Sequence, residues 1–140
     1  MTVPSEDTLC RLIDPRCWNR DDNRPAYTAF SASNRKLSTW HRDRVAQNGD
    51  NLEDLCFDTL EGFGEALLKT LDFLEAAKDS GSPDFRPTAV WRPKEVKGPW
   101  EPWQDAHVNI ESQAGAKDFP PRYRLELAMR CEVPRRPRGV

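Results

Sequence analysis

The feature that most constrains the fold of this chain is a long stretch in which apolar residues recur every three or four positions. It runs from Asn51 to Lys78, and its repeating residues are Leu52, Leu55, Cys56, Leu60, Phe63, Leu67, Leu71 and Leu74. Side chains spaced in this way lie along one side of an α-helix. Asp50 or Asn51 can cap its start, and the turn residues Ser80–Pro83 end it. The sequence therefore predicts one long amphipathic helix over residues 51–78, although two glycines weaken it near the middle.

Alternation of polar and apolar residues, the pattern typical of β-strands, occurs on both sides of this stretch. Leu37–Val45, Asp105–Ser112 and Tyr123–Val133 are predicted strands. Thr88–Val96 is a further one, and Pro93 inside it predicts that this strand lies at a sheet edge or ends there. Strands before and after one long helix predict a loop-rich α+β fold, in which the helix packs on a mostly antiparallel sheet.

The predicted core lies between the long helix and the sheet. In the last strand, alternation places Leu125 and Leu127 on one face together with Tyr123 and Met129. We expect the sheet to bury one row of helix residues, namely Leu60, Phe63, Leu67 and Leu71.

Length and composition predict a single domain. A chain of 140 residues corresponds to one domain, and the 12 prolines and 31% charged residues leave little room for long regular elements. Five tryptophans and six phenylalanines favour a folded chain, because each aromatic side chain buries a large area. We therefore expect one α+β domain over residues 1–140, with a frayed N-terminal arm at residues 1–8 and a basic C-terminal tail at residues 134–140.

The sequence contains no pattern for export or for membrane insertion. Residues 1–7 lack a charged segment followed by an apolar one, and no apolar run approaches the length of a membrane span. The four cysteines are widely spaced and form no C-x-x-C pair, which argues against a zinc site. We therefore predict a cytoplasmic protein with reduced thiols, no cofactor and no bound metal.

The clearest strand pattern carries one of the two histidines, His107. Alternation places His107, Asn109 and Glu111 on one face of this strand, and the apolar residues between them on the other. A histidine can accept or donate a proton near neutral pH, and a carboxylate such as Glu111 can orient it. A polar triplet of this kind is also the ordinary solvated face of a half-buried strand.

The second histidine, His41, lies two residues from Asp43, so that both side chains share a face of the predicted strand 37–45. If this strand lies beside that of His107, two histidines and two acids come together, with arginines available to hold a phosphoester or a nucleotide. The sequence contains no glycine-rich phosphate loop, no G-x-S-x-G and no H-E-x-x-H motif. The predicted catalytic residues of such a hydrolase or nuclease-like enzyme are His107, Glu111, His41 and Asp43.

A proline-rich segment from Val90 to Trp103 holds three of the five tryptophans. Exposed aromatic side chains are frequent anchors of protein–protein interfaces, and beside positive charge they also stack on single-stranded nucleic acid. The same side chains could instead fold back as a lid over a small core. We predict that partner binding, where it occurs, uses Trp91, Arg92, Trp100 and Trp103.

Three short patches of the sequence resemble a diffuse group of small, uncharacterised bacterial accessory proteins. The patches are Arg11–Ile13 with Arg24–Phe30, then Lys36–Ser38, and the later pair Ala106–His107. The resemblance implies an accessory member of a bacterial multi-gene system, such as a conflict or defence system. It implies no catalytic residues.

Taken together, these patterns favour a small cytoplasmic protein that binds another protein, encoded nearby if the resemblance holds. Residues 50–79 hold nine acidic residues against two lysines, and six arginines lie in the last nineteen residues, an asymmetry that helps to steer a partner. The alternative is a small hydrolase or nuclease-like enzyme centred on His107 and His41. A second alternative is nucleic-acid binding through the tryptophans and arginines.

Overall fold

A computed structural model describes residues 2–49, 62–82, 84–113 and 115–140. These residues form an α+β fold, the class that the sequence predicts. The strands are β1 (Thr8–Ile13), β2 (Trp18–Asn19), β3 (Arg24–Pro25), β4 (Lys36–His41), β5 (Gly64–Lys69), β6 (Thr88–Trp91), β7 (His107–Glu111) and β8 (Glu132–Arg135). The α-helices are α1 (Arg42–Gln47), α2 (Thr70–Asp79) and α3 (Pro121–Arg130).

Six of these strands form one antiparallel sheet in the order β6-β7-β4-β1-β5-β8, and β2 pairs with β3 separately. Helices α2 and α3 cover one face of the large sheet. Phe73 of α2 and Tyr123 of α3 are fully buried there, and the Tyr123 hydroxyl donates a hydrogen bond of 2.9 Å to the Phe73 carbonyl oxygen. This bond links the two helices over the main core.

The opposite face of the sheet carries a second, smaller core. Its buried members are Cys10, Trp40, Val45, Leu67, Val96 and Ala106. Helix α1 and a 3-10 helix over Gly98–Ala106 contribute residues to this layer. The two sides of the sheet are therefore covered by different parts of the chain, and the smaller core lies next to the candidate site.

The predicted long helix over residues 51–78 is not confirmed, because residues 64–69 form a strand and only residues 70–78 of the described part are helical. Residues 50–61 lie outside the described part of the chain, but residues 64–69 form strand β5, which pairs with β1 on one side and β8 on the other. A core lies on each face of β5, with Ala66 and Leu68 in the main core and Leu67 in the smaller one. Its buried residues therefore form a continuous run, which periodicity alone does not distinguish from a buried helix. Helix α2 begins only at Thr70.

Gly64 permits the close pairing of β5 with β8. A Cβ atom at residue 64 would lie 2.6 Å from the carbonyl oxygen of Arg135 in β8, so that only glycine allows the two strands to approach this closely. Among the residues expected in the core, Leu67 is buried on β5, whereas Phe63 and Leu71 are half-buried. Leu60 lies outside the described residues.

The predicted strand Tyr123–Val133 is also wrong over most of its length. Helix α3 occupies Pro121–Arg130, with a proline in its first turn, and β8 follows at residues 132–135. Tyr123 and Leu127 are buried four residues apart, whereas Leu125 is 49% exposed. The packing follows helical spacing, although the sequence alternates in steps of two.

Other predicted elements are confirmed or shortened. Strand β7 is confirmed, and β6 ends at Trp91, before Pro93, at the edge of the sheet as the proline predicts. The predicted strand 37–45 ends at His41, where α1 begins.

Both chain ends, expected to be a frayed arm and a tail, make contacts with the sheet and its loops. The Val3 amide donates a hydrogen bond to the Ala89 carbonyl oxygen, and the Arg138 amide donates one to Gly62. Val3 is buried. Among the described residues, no helix is both long enough and apolar enough to cross a lipid bilayer.

Candidate active site

The candidate site lies where β4 and β7 run side by side. In this antiparallel pair Trp40 is opposite His107, and Ser38 is opposite Asn109. Cross-strand partners share a face of the sheet, so the polar side chains of β7 lie on the face of the smaller core. This face is covered rather than solvated: only 6% of His107 and 2% of Asn109 is exposed.

Ser38 and His107 form a hydrogen-bonded pair. The Ser38 Oγ lies 2.7 Å from Nε2 of His107, and Nδ1 of His107 lies 2.8 Å from the carbonyl oxygen of Arg92. A carbonyl oxygen can only accept, so Nδ1 carries the proton of the neutral ring and Nε2 is left as an acceptor. Ser38 therefore donates its hydroxyl proton to a histidine whose tautomer is set by a third group, the arrangement that activates a serine nucleophile.

Both residues line a cavity of about 360 Å³. This volume lies in the range of small-molecule sites. The Trp40 and Trp100 rings are stacked in its wall, with centroids 5.1 Å apart and planes inclined by 23°. Its other lining residues are Arg11, Leu12, Phe63, Glu95, Val96 and Lys97.

Arg11 brings a positive charge to the cavity. Strands β1 and β4 pair only near Leu9 and Cys10, and where they separate the Arg11 guanidinium donates to the carbonyl oxygens of Ser38 and Ala29, both at 2.9 Å. Burial lowers the pKa of Arg11 to about 10, so that the guanidinium is still protonated at neutral pH. A cation therefore lies directly behind the backbone of Ser38.

A row of charged side chains continues along the same face. Glu95 is bound by Lys36 at 2.8 Å and by the Asn109 amide at 2.6 Å, and Arg92 donates two hydrogen bonds of 2.8 Å to Glu111. The hydrogen bonds from Lys36 and Arg92 lower the pKa of the two carboxyl groups. Glu111, the predicted acid partner of His107, is thus paired with the Arg92 side chain. His107 is instead hydrogen-bonded to the backbone carbonyl oxygen of Arg92.

The pairing of Glu111 with Arg92 leads to a pH-dependent prediction. Because the folded state lowers the pKa of Glu111, its carboxylate stabilises the fold at neutral pH, and this contribution is lost as the pH falls through the lowered pKa. We expect Glu111→Gln to lower the free energy of unfolding by about 1–3 kcal/mol at neutral pH. The difference from the parent chain should shrink as the pH falls through this lowered pKa, because the carboxyl group of the parent chain is then protonated as well.

Urea denaturation at neutral and at acid pH measures this difference. Glu101→Gln, at an exposed position of the 3-10 helix Gly98–Ala106, is the matched control and should change stability little at either pH. A loss for Glu111→Gln that is equally large at acid pH would show that packing, rather than the ion pair, is responsible.

His41 does not meet His107. It ends β4, its ring lies 5.1 Å from that of Trp91 on the face opposite the cavity, and its Nδ1 accepts the Arg44 amide at the start of α1. Its acid partner is Asp7, whose carboxylate is 2.7 Å from Nε2. The predicted pairing with Asp43 fails because the strand ends at His41, so that Asp43 lies in a helix.

The side chains predicted to bind a partner are all engaged within the molecule. The Arg44 guanidinium lies 3.6 Å from the centre of the Trp91 ring, and Arg92 is paired as described above. Trp100 stacks on Trp40, and Trp103 contacts Trp100 edge to face with centroids 6.2 Å apart. Trp100 and Trp103 pack over the smaller core as a lid would, whereas Trp91 packs against the main core on the other face. Binding of a partner through these residues stays a prediction.

Sequence reasoning did not single out Ser38 or Arg11 as functional residues. The only available signal was that Ser38 and Trp40 share a face of their strand, and nothing in the sequence indicated that this face lies beside His107. Among the described residues, no three His, Cys, Asp or Glu side chains come together as a metal-binding group.

Comparisons with protein-family models, with curated proteins and with solved structures found no match to this chain. A bacterial origin and a role in a multi-gene or defence system therefore stay predictions from the sequence patches.

Proposed function

We propose that this chain is a small hydrolase in which Ser38 is the nucleophile and His107 is the general base. The observation that carries the proposal is the hydrogen bond of 2.7 Å between Ser38 Oγ and His107 Nε2 at the wall of a cavity. The sequence left a hydrolase centred on His107 and His41 as an alternative function. In the present proposal Ser38, rather than His41, is the partner of His107.

The reaction that this geometry supports is ester hydrolysis in two steps. Ser38 Oγ forms a bond to the ester carbonyl carbon while its proton passes to His107 Nε2, and the bond to the leaving alcohol breaks as Nε2 returns that proton to the alcohol oxygen. Water then attacks the acyl-serine, giving a proton to Nε2. The acid is released as the proton returns to Ser38 Oγ, so that the enzyme is regenerated.

Two neighbouring groups assist these steps. The Arg92 carbonyl oxygen accepts a hydrogen bond from Nδ1–H throughout, which keeps the ring oriented and stabilises the imidazolium ion formed in each step. The Arg11 guanidinium, bonded to the Ser38 carbonyl oxygen, also lines the cavity and brings positive charge to it. Fixed positive charge at this position favours the negative oxygen of the tetrahedral intermediate.

Active-site labelling tests the proposal directly. We expect an alkyl fluorophosphonate, which reacts with activated serines, to modify Ser38, as located by peptide mass spectrometry. Ser38→Ala should abolish the label, and His107→Gln should slow labelling strongly. Ser33→Ala, at an exposed serine, is the matched control and should leave labelling unchanged. Absence of any label on Ser38 under conditions that label a known serine hydrolase would contradict the proposal.

Binding of another protein, the first hypothesis from the sequence, and binding of nucleic acid both stay predictions. The tryptophans and the arginine on which they rest already contact other parts of this chain. The cavity holds a serine hydrogen-bonded to a histidine, and for that reason the proposed function is based on the cavity.

A further inference from the structure

We infer that the substrates of this cavity are small anionic aryl esters, in which a flat ring and a negatively charged group accompany the ester. This inference rests on the proposed hydrolase function and adds the class of substrate to it. Three properties of the cavity lead to it: its size, its aromatic walls and its charge.

The size of the cavity suits a small molecule. A volume of about 360 Å³ lies near the lower end of ligand-binding cavities in proteins. This space suits a single substituted ring with a short acyl group.

The walls of the cavity favour a flat ring. Trp40 is 7% exposed and stacks on Trp100, which is itself half-buried, and the half-buried Phe63 also lines the space. The Trp40 ring lies 5.0 Å from that of His107, so that the aromatic wall continues up to the proposed base. A ring placed against these faces gains the contact area and stacking that aromatic pairs provide.

The charge of the cavity favours an anion. Two cations, Arg11 and Lys97, line it together with one acid, Glu95. The Glu95 carboxylate is already held by Lys36 and by the Asn109 amide. In contrast, neither Arg11 nor Lys97 belongs to an ion pair within the described ranges of the chain. Positive charge in a partly enclosed cavity attracts an anionic ligand more strongly than the same charge in open water.

Hydrolysis of matched esters tests the inference. Para-acetoxybenzoate carries both the ring and the charge, its methyl ester lacks the charge, and acetoxypropanoate lacks the ring. We expect kcat/KM for para-acetoxybenzoate, divided by the rate constant for hydroxide-catalysed hydrolysis of the same ester, to exceed that for each of the other two by about tenfold or more at low salt. The preference for the anion over its methyl ester should fall at high salt, because ions screen charge–charge attraction.

A pair of lysine variants locates the effect in the cavity. Lys97→Gln should lower the preference for para-acetoxybenzoate over its methyl ester. Lys94→Gln, an exposed lysine outside the lining, is the matched control and should keep the preference. Equal rates on the charged and the neutral aryl ester in the parent chain, or a preference that Lys97→Gln leaves unchanged, would overturn the inference.

A binding measurement separates this inference from the hydrolase proposal. Para-hydroxybenzoate and the neutral para-hydroxybenzamide are titrated into the Ser38→Ala variant, with tryptophan fluorescence as the signal because Trp40 and Trp100 form the wall. Tighter binding of the anion without turnover of any ester would contradict the hydrolase proposal and retain the ligand class. Binding that is equal for both compounds, or absent for both, would overturn the ligand class even if esters are hydrolysed.

Discussion

Replacing His107 by glutamine is expected to lower kcat for the hydrolysis of para-nitrophenyl acetate by about 10²–10⁴-fold, the contribution typical of a general base. Glutamine can still donate a hydrogen bond to the Arg92 carbonyl oxygen, but it cannot take the proton of Ser38. The loss should therefore fall mainly on kcat, with KM changed much less.

His41→Gln is the matched control for this result, because it alters the second histidine on the opposite face of the sheet. His41 is bonded to Asp7 and to the start of α1 and does not line the cavity. Its variant should keep kcat close to that of the parent chain. Thermal unfolding of both variants checks that each is folded at the assay temperature. Equal losses of kcat in two folded variants would contradict the role assigned to His107.

Replacing Leu127 by alanine is expected to lower the free energy of unfolding by about 2–5 kcal/mol, the usual cost of deleting a fully buried leucine side chain. Leu127 is fully buried in the main core, between helix α3 and the sheet. Leu125→Ala should cost less than about 0.5 kcal/mol, since the Leu125 side chain is half exposed and makes no comparable contribution to the core.

Chemical denaturation of the two leucine variants also decides between a helix and a strand in this part of the chain. On a strand, Leu125 and Leu127 share a face and both should be buried or both exposed. On a helix, residues two apart point in different directions, so that one can be buried and the other exposed. Comparable losses of stability for Leu125→Ala and Leu127→Ala would contradict the helix observed here.

Prediction from the sequence succeeded where a local pattern was sufficient. Strand β7 was predicted because its polar and apolar residues alternate, and the burial of Val108 and Ile110 on one face follows from that alternation. The position of β6 at the sheet edge followed from Pro93, because proline cannot donate the hydrogen bond that an inner strand requires.

Prediction failed where the spacing of apolar residues pointed to the wrong type of secondary structure. Residues 64–69 fit a helical stripe, yet they form a strand that pairs with β1 and β8 and has a core on each of its faces. Residues 123–130 fit a strand, yet they form a helix that places Tyr123 and Leu127 against the core. In both segments the neighbouring elements, which periodicity does not reveal, select the structure.

For the site, the sequence by itself determined that His107, Asn109 and Glu111 share one face of a strand, because alternation is a property of the strand alone. Only the tertiary structure decided which side chains and backbone groups contact that face. The hydrogen bond between Ser38 and His107 joins residues 69 positions apart. The group that orients the His107 ring is a backbone carbonyl oxygen, which every residue has, so that its role cannot be recognised from the sequence. Strand pairing brings such groups together, and pairing depends on how the whole chain buries its apolar surface.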